Sequence, residues 1–248
     1  MTGMLSLSQV RICDDPAALG REAAEALVRA AADATGARGR FSLVLPGGST
    51  PRPLFELLGR EPYRSRVPWT RTHLFWSDER LVPPDHDESN YGLAVRTFLP
   101  ALPVPAEQVH RIRAELGGEL AAETYEKELW QAFGGSIPVF DLVILGVGAD
   151  GHTASLFPGS PAVEEGSRLA FFVAEERRGL RRVTLTLPVL NSSRRVIFLA
   201  SGSRKANIVA SLFDPCDHRP LPLKMVRPEK GEVVWMIDRE AAAGLSDT

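Results

Sequence analysis

The chain has 248 residues, 44% of them hydrophobic and 24% charged, with a net charge of −2; this ordinary globular balance supports a sizeable core in one large domain or two small ones. No run approaches the roughly 20 apolar residues of a membrane helix, no general positive field draws nucleic acid, and Met1 to Val10 lacks the basic, apolar and small-residue regions of a secretory signal. Cys13 and Cys216 are the only cysteines and have no thiol partner at metal-ligand spacing, which points to inert thiols, a reducing compartment and a cytoplasmic address.

In chain order, a first helix is expected from a cap at Asp15, with Pro16 where a missing N–H is tolerated, through Ala-rich sequence to Gly36. Five short apolar runs read as central strands: Phe41 to Leu45, Thr72 to Trp76, Asp141 to Leu145, Arg195 to Leu199 and Val233 to Ile237. Helical stretches near Leu54 to Leu58, Asn90 to Leu99, Glu119 to Phe133 and Arg204 to Phe213 separate them. Such alternation implies an α/β fold, a mostly parallel sheet covered by helices on both faces. Leu169 to Ala174 and Arg182 to Leu187 follow one another with no long helix between, so part of the sheet is expected to be antiparallel or mixed. Pro100 to Pro105 is short enough for a loop, and no repeat or Gly/Ser linker divides the chain, so residues 1–248 are read as one domain.

Ligands of an open parallel sheet bind beyond the carboxyl ends of its strands, and four unusual loops fall there. The first, Pro46 to Pro51, offers Gly47 and Gly48 for a tight turn, the hydroxyls of Ser49 and Thr50, and the N–H groups of a following helix; that suits a phosphate, or an ordinary turn capped by Ser49 or Thr50. It ends neither as a Walker loop nor as a nucleophile elbow. The second, Ser77-Asp78-Glu79-Arg80, holds two carboxylates and a guanidinium. Arg80 suits a planar anion and Asp78 suits a sugar hydroxyl or the orientation of a base, unless the cluster is a surface one that pairs internally.

The third loop, Gly146 to Thr153, contains a dinucleotide-like Gly146, Gly148, Gly151 pattern with Glu175 downstream. Pro158, Gly159 and Pro161 break the sustained helix that a dinucleotide fold needs. What remains is Asp150 and His152, an imidazole suited to taking a proton near neutral pH. The alternatives are a histidine bonded only within its loop, or two metal ligands lacking a third. The fourth loop, Ser201 to Lys205, places Lys205 at a helix start, where an anion meets both its ammonium group and backbone donors, or where a solvated lysine simply faces water. His73 is expected within a strand, and His86, His110 and His218 in loops.

Together these strings resemble the 6-phosphogluconolactonase family, related to the glucosamine-6-phosphate isomerase/deaminase group: Leu45 to Pro51, Trp76 to Arg80, Ser89-Asn90-Tyr91, Gly146 to Pro158, Arg182 to Thr186, and Ser201-Gly202 through Lys205-Ala206. The resemblance spans most of the chain and implies a Rossmann-like three-layer sandwich that hydrolyses a phosphorylated sugar lactone without metal or organic cofactor. It implies His152 as the base that activates water, with Asp150 and Asp78 beside it. Phosphate would lie among Gly47, Gly48, Ser49, Thr50, Arg80, Arg182 and Lys205. Where the deaminases carry a glutamate before the proline this chain has Phe157-Pro158, and their Asp-Glu-Tyr loop is here Asp78-Glu79-Arg80, which favours hydrolysis over ring-opening isomerisation. A non-catalytic sugar-phosphate sensor lacks support, because no helix-turn-helix precedes Asp15. The expected partner is a small sugar-phosphate lactone, with no nucleic acid or membrane, and the expected state is a monomer or weak homodimer.

Overall fold

Every residue of Phe41–Leu45 is buried, which a strand achieves only with neighbours at both edges and cover on both faces. The computed structural model describes residues 9–177 and 179–245, so most of Met1 to Val10 and the ends of the 1–248 span lie outside the described residues. Its strands are β1 (Val10–Cys13), β2 (Phe41–Leu45), β3 (Thr72–Trp76), β4 (Asp78–Arg80), β5 (Val109–His110), β6 (Leu142–Gly146), β7 (Ala170–Arg177), β8 (Leu180–Leu185), β9 (Arg195–Ala200) and β10 (Glu232–Asp238). The helices are α1 (Pro16–Arg38), α2 (Arg52–Leu58), α3 (Tyr63–Arg66), α4 (Asn90–Thr97), α5 (Gly118–Ala132), α6 (Pro161–Glu164), α7 (Leu187–Asn191), α8 (Ala206–Phe213), α9 (Pro222–Met225) and α10 (Arg239–Ala242).

Seven strands form one sheet in the order β1-β10-β9-β6-β2-β3-β5, and each pair is parallel. From β2 the chain steps outward through β3 to β5, then returns across β2 to lay down β6, β9 and β10. The strand order therefore reverses between β2 and β6, the position where an open α/β sheet parts its loops to form a crevice. The antiparallel portion is a separate three-stranded sheet, β4-β8-β7. Asp78–Arg80 belongs to it, so the second loop is itself a strand, paired as Asp78↔Thr184, Glu79↔Val183 and Arg80↔Arg182. A single buried cluster runs through both sheets, from Trp69, Trp76 and Trp235 to Val173, Val183 and Leu185.

Asp15 caps α1 by accepting from the Ala18 N–H at 2.7 Å. The helix continues past the expected end at Gly36 and closes at Gly39. The sequence reading lacked β1, because Val10–Cys13 is an edge strand with an exposed middle that shows no apolar run. It also placed His110 in a loop; the residue lies on β5, pairs with Phe75 of β3 and is buried, and two residues of pairing are too few to leave a periodic signal. Away from the loops, Asp141 is a buried carboxylate that accepts from the Ser42 N–H and Oγ, both at 2.8 Å, and from Arg38 Nη2 at 2.7 Å. It ties α1, β2 and β6 together at the amino end of the sheet. Cys13 is half-buried, its thiol pushed up first by burial and then by nearby carboxylates; Cys216 is exposed.

Candidate active site

The four loops leave β9, β6, β2 and β3, which are consecutive in the sheet, and because all four strands run parallel the loops emerge at one edge. Adjacent strands lie about 4.8 Å apart, so the loop after β6 stands between the first and fourth loops with roughly that spacing on either side. The carboxyl end of β6 carries Asp150 and His152. His152 Nδ1 and Asp150 Oδ1 form a short hydrogen bond, and the His152 backbone N–H also donates to that oxygen at 3.3 Å. The hydrogen bond from His152 leads the effects that hold the Asp150 carboxyl down to about 2. An ionised Asp150 accepts from Nδ1–H and assigns that proton to Nδ1, so in the neutral ring the lone pair lies on Nε2.

The loop is built for this geometry. A Cβ on Gly148 would lie 2.1 Å from His152 Nδ1, so only glycine lets the ring lie against the backbone. The Gly148 N–H donates to the His152 carbonyl at 2.8 Å and Thr153 Oγ1 to the Gly146 carbonyl at 2.9 Å. Ala154 holds a φ of 48°, a strained value for a residue with a Cβ, of the kind that persists where surrounding bonds over-determine it. The downstream helix required of a dinucleotide site is absent, since α6 has only four residues; Glu175 is exposed on β7.

Asp78 is 5% exposed and does not hydrogen-bond His152, contrary to one expected role. It accepts from Ser155 Oγ at 2.6 Å, from Asn90 Nδ2 at 3.2 Å and from Ser77 Oγ at 3.2 Å. Asn90 Nδ2 also donates to the Asp78 carbonyl at 2.8 Å, and a Cβ on Gly47 would meet Asn90 Oδ1 at 1.9 Å. Asp78 thus joins the second loop to the histidine loop through Ser155 and, through Asn90, to the first loop. Neither Ser155 nor Asn90 was assigned a role from sequence, since the bonds span 77 and 12 residues and no local pattern marks them. Glu79 is not a surface charge either. It accepts from the N–H groups of Arg80, Asn90 and Tyr91, each at 2.8 Å, and from Ser89 Oγ at 3.1 Å, while burial pushes its carboxyl up.

In the first loop Gly48 has a φ of 86°, and Ser49 and Thr50 do not cap α2, whose cap position is Pro51 with no side-chain hydrogen bond. The expected array of helix N–H groups is reduced: α2 has seven residues and the Arg52 N–H already donates to the Ser49 carbonyl at 3.2 Å. In the fourth loop the backbone donors are taken as well. The Gly202 N–H donates to Asp238 at 3.0 Å and the Ser203 N–H to Glu240 at 3.2 Å, so what this loop presents is side chains, the exposed Arg204 and the half-buried Lys205. Arg80 and Arg182 are register partners across the β4–β8 pair, and Arg80 Nη1 also pairs with the Glu88 carboxylate at 3.2 Å. Arg80 Nη1 is steadied by the Glu88 carbonyl at 2.6 Å.

Among the described residues, no group of three or more His, Cys, Asp or Glu is placed to hold a metal ion, and no helix is long and apolar enough to cross a membrane. Two surface clefts lie elsewhere: one of about 340 Å³ beside Arg38, Asp141 and Arg194, the other of about 520 Å³ beside His110 and Glu128. Near the second, His73 Nδ1 lies 3.0 Å from His110 Nε2, and His110 Nδ1 lies 2.9 Å from Glu128. Burial first, then His110 and Arg40, lower His73 to about 4. The unfolded chain takes up that proton near pH 6.5 and the folded chain does not. This contribution is therefore intact above pH 6.5 and is lost as the pH falls towards 4. The melting temperature is expected to drop between pH 7 and pH 5 more in the parent than in His73→Gln; equal drops would remove His73 as the cause.

The sequence profile of the family described as glucosamine-6-phosphate isomerases/6-phosphogluconolactonase matches residues 14–235. Human 6-phosphogluconolactonase is 46% identical over 224 residues, covering 86% of this chain and 84% of its own. The Synechocystis enzyme of that name is 39% identical over 213 residues, covering 84% and 86%. In structure, the chain is similar to 6-phosphogluconolactonase from Trypanosoma cruzi, with a TM-score of 0.85 and 30% identity, covering 96% of this chain and 97% of the other.

Proposed function

Since the chain belongs to the glucosamine-6-phosphate isomerase/6-phosphogluconolactonase family, we propose that it hydrolyses 6-phosphogluconolactone to 6-phosphogluconate with His152 as general base. The observation that carries this reading is the convergence of the Asp150–His152 pair and the cationic loops at one sheet edge, beside the switch point between β2 and β6. Nε2 of His152 takes a proton from water as the water oxygen attacks the lactone carbonyl carbon. The tetrahedral oxyanion is met by backbone N–H groups or Arg80. When it collapses, the bond from that carbon to the ring oxygen breaks, and the ring oxygen leaves with the proton held by His152.

Gly47, Gly48, Ser49, Thr50, Arg80, Arg182 and Lys205 bind the phosphate, using a non-reacting group to place the carbonyl. Asp78 acts through Ser155 and Asn90 by holding the loops in register. The same reading takes residues 1–248 as one Rossmann-like catalytic domain, a monomer or weak homodimer in the cytoplasm. The single-domain part of this reading is supported by the extent of the family match and by the core joining both sheets.

The test is hydrolysis of freshly made 6-phosphogluconolactone with spontaneous hydrolysis subtracted. Acceleration well above the spontaneous rate is expected. No acceleration, together with ammonia release from glucosamine 6-phosphate, would place the chain on the isomerase side of its family.

A further inference from the structure

The third loop ends at Phe157-Pro158, and Phe157 is buried although its neighbours are basic. Its ring centroid lies 4.7 Å from that of His152, with the planes inclined by 45°. The guanidinium carbons of Arg177 and Arg182 lie 5.1 Å and 5.8 Å from the same centroid. Arg182 Nη2 donates to the Arg177 carbonyl at 3.3 Å, and Arg182 is the register partner of Arg80. One aromatic ring therefore touches the proposed base and two of three clustered arginines. An aromatic quadrupole attracts a guanidinium at this range, whereas an aliphatic side chain of similar bulk fills the space without that attraction. Arg177 is exposed, so its donors are open to a ligand, and a guanidinium presents them in the planar fork that matches phosphate oxygens.

Building on the lactonase reading, we propose that Arg177 is a further phosphate-binding residue, and that Phe157 is a positioning residue that holds Arg177 and Arg182 towards the phosphate while setting the plane of the His152 imidazole. The arrangement couples the two ends of the substrate site through one ring. The distances assign Phe157 no direct chemistry; it acts on the cations and on the base.

The experiment measures KM and kcat of Arg177→Ala, Phe157→Leu and Phe157→Tyr on phosphorylated and unphosphorylated gluconolactone. Arg177→Ala is expected to raise KM for the phosphorylated lactone roughly 10-fold, in line with losing a charged hydrogen bond, and to leave the unphosphorylated lactone unchanged. Phe157→Leu is expected to raise the same KM roughly 3-fold or more, as the lost ring attraction implies, and to lower kcat on both lactones through His152. Phe157→Tyr keeps the ring and is expected to stay near the parent on both. An unchanged KM in Arg177→Ala, or equal changes on the two lactones, overturns the role of Arg177. Phe157→Tyr as impaired as Phe157→Leu overturns the role of the ring, and if Phe157→Leu melts at ambient temperature, Phe157→Tyr and Arg177→Ala still decide. A parent chain inactive on the phosphorylated lactone would instead sink the lactonase reading, an outcome visible before any variant is made.

Discussion

Replacing His152 with alanine is expected to lower turnover roughly 100-fold or more with little change in substrate binding, because general-base catalysis typically contributes 10²–10⁴-fold. The geometry makes the effect one-sided. Asp150, held down to about 2, is ionised near neutral pH and accepts the Nδ1 proton, which in the proposed mechanism turns Nε2 of His152 to the water. The side chain is 32% exposed, and its removal leaves the backbone bond from Gly148 to the residue-152 carbonyl in place; the fold and the phosphate contacts are expected to survive. The measurement is kcat and KM on 6-phosphogluconolactone, with circular dichroism to verify folding. A near-normal turnover number in a folded variant would move the base to another residue.

The second large effect belongs to Lys205. Asp238 and Glu240 occupy the N–H groups of Gly202 and Ser203, so the contact proposed for Lys205 is made by its ammonium group rather than by these backbone donors. Lys205→Ala is expected to weaken transition-state binding of the phosphorylated lactone by about 1–3 kcal/mol, the order of a charge-assisted hydrogen bond. Hydrolysis of unphosphorylated gluconolactone is expected to change barely at all. The contrast between the two substrates is the informative quantity. A lysine that merely faces water leaves both rates at the parent value, and a structural lysine lowers both along with thermal stability. Equal effects on the two lactones in either direction therefore remove Lys205 from the phosphate site.

The residues of the proposed site stand out in the sequence because their types are rare in combination: a histidine two residues after an aspartate at a strand end, paired glycines before a hydroxyl pair, a lysine at a helix start. Their division of labour was not legible. Asp78 read as a partner for the base, yet its bonds run to Ser155 and Asn90, 77 and 12 residues away along the chain. Spacing in sequence cannot rank such contacts. Arg177 and Phe157 were similarly hidden, because ring contacts to two arginines and a histidine from three segments have no periodic signature.

Periodicity and composition, which are local, determined by themselves that apolar runs alternate with helices, that the sheet is mostly parallel and that four strands end in loops of unusual composition. The tertiary structure alone decided the order β9-β6-β2-β3 that makes those loops adjacent, and the second sheet in which Arg80 meets Arg182. It also decided which backbone donors were already taken. The physical reason is that strand neighbours and hydrogen-bond partners are chosen by global burial and pairing, where residues distant in sequence compete for the same edge and the same proton.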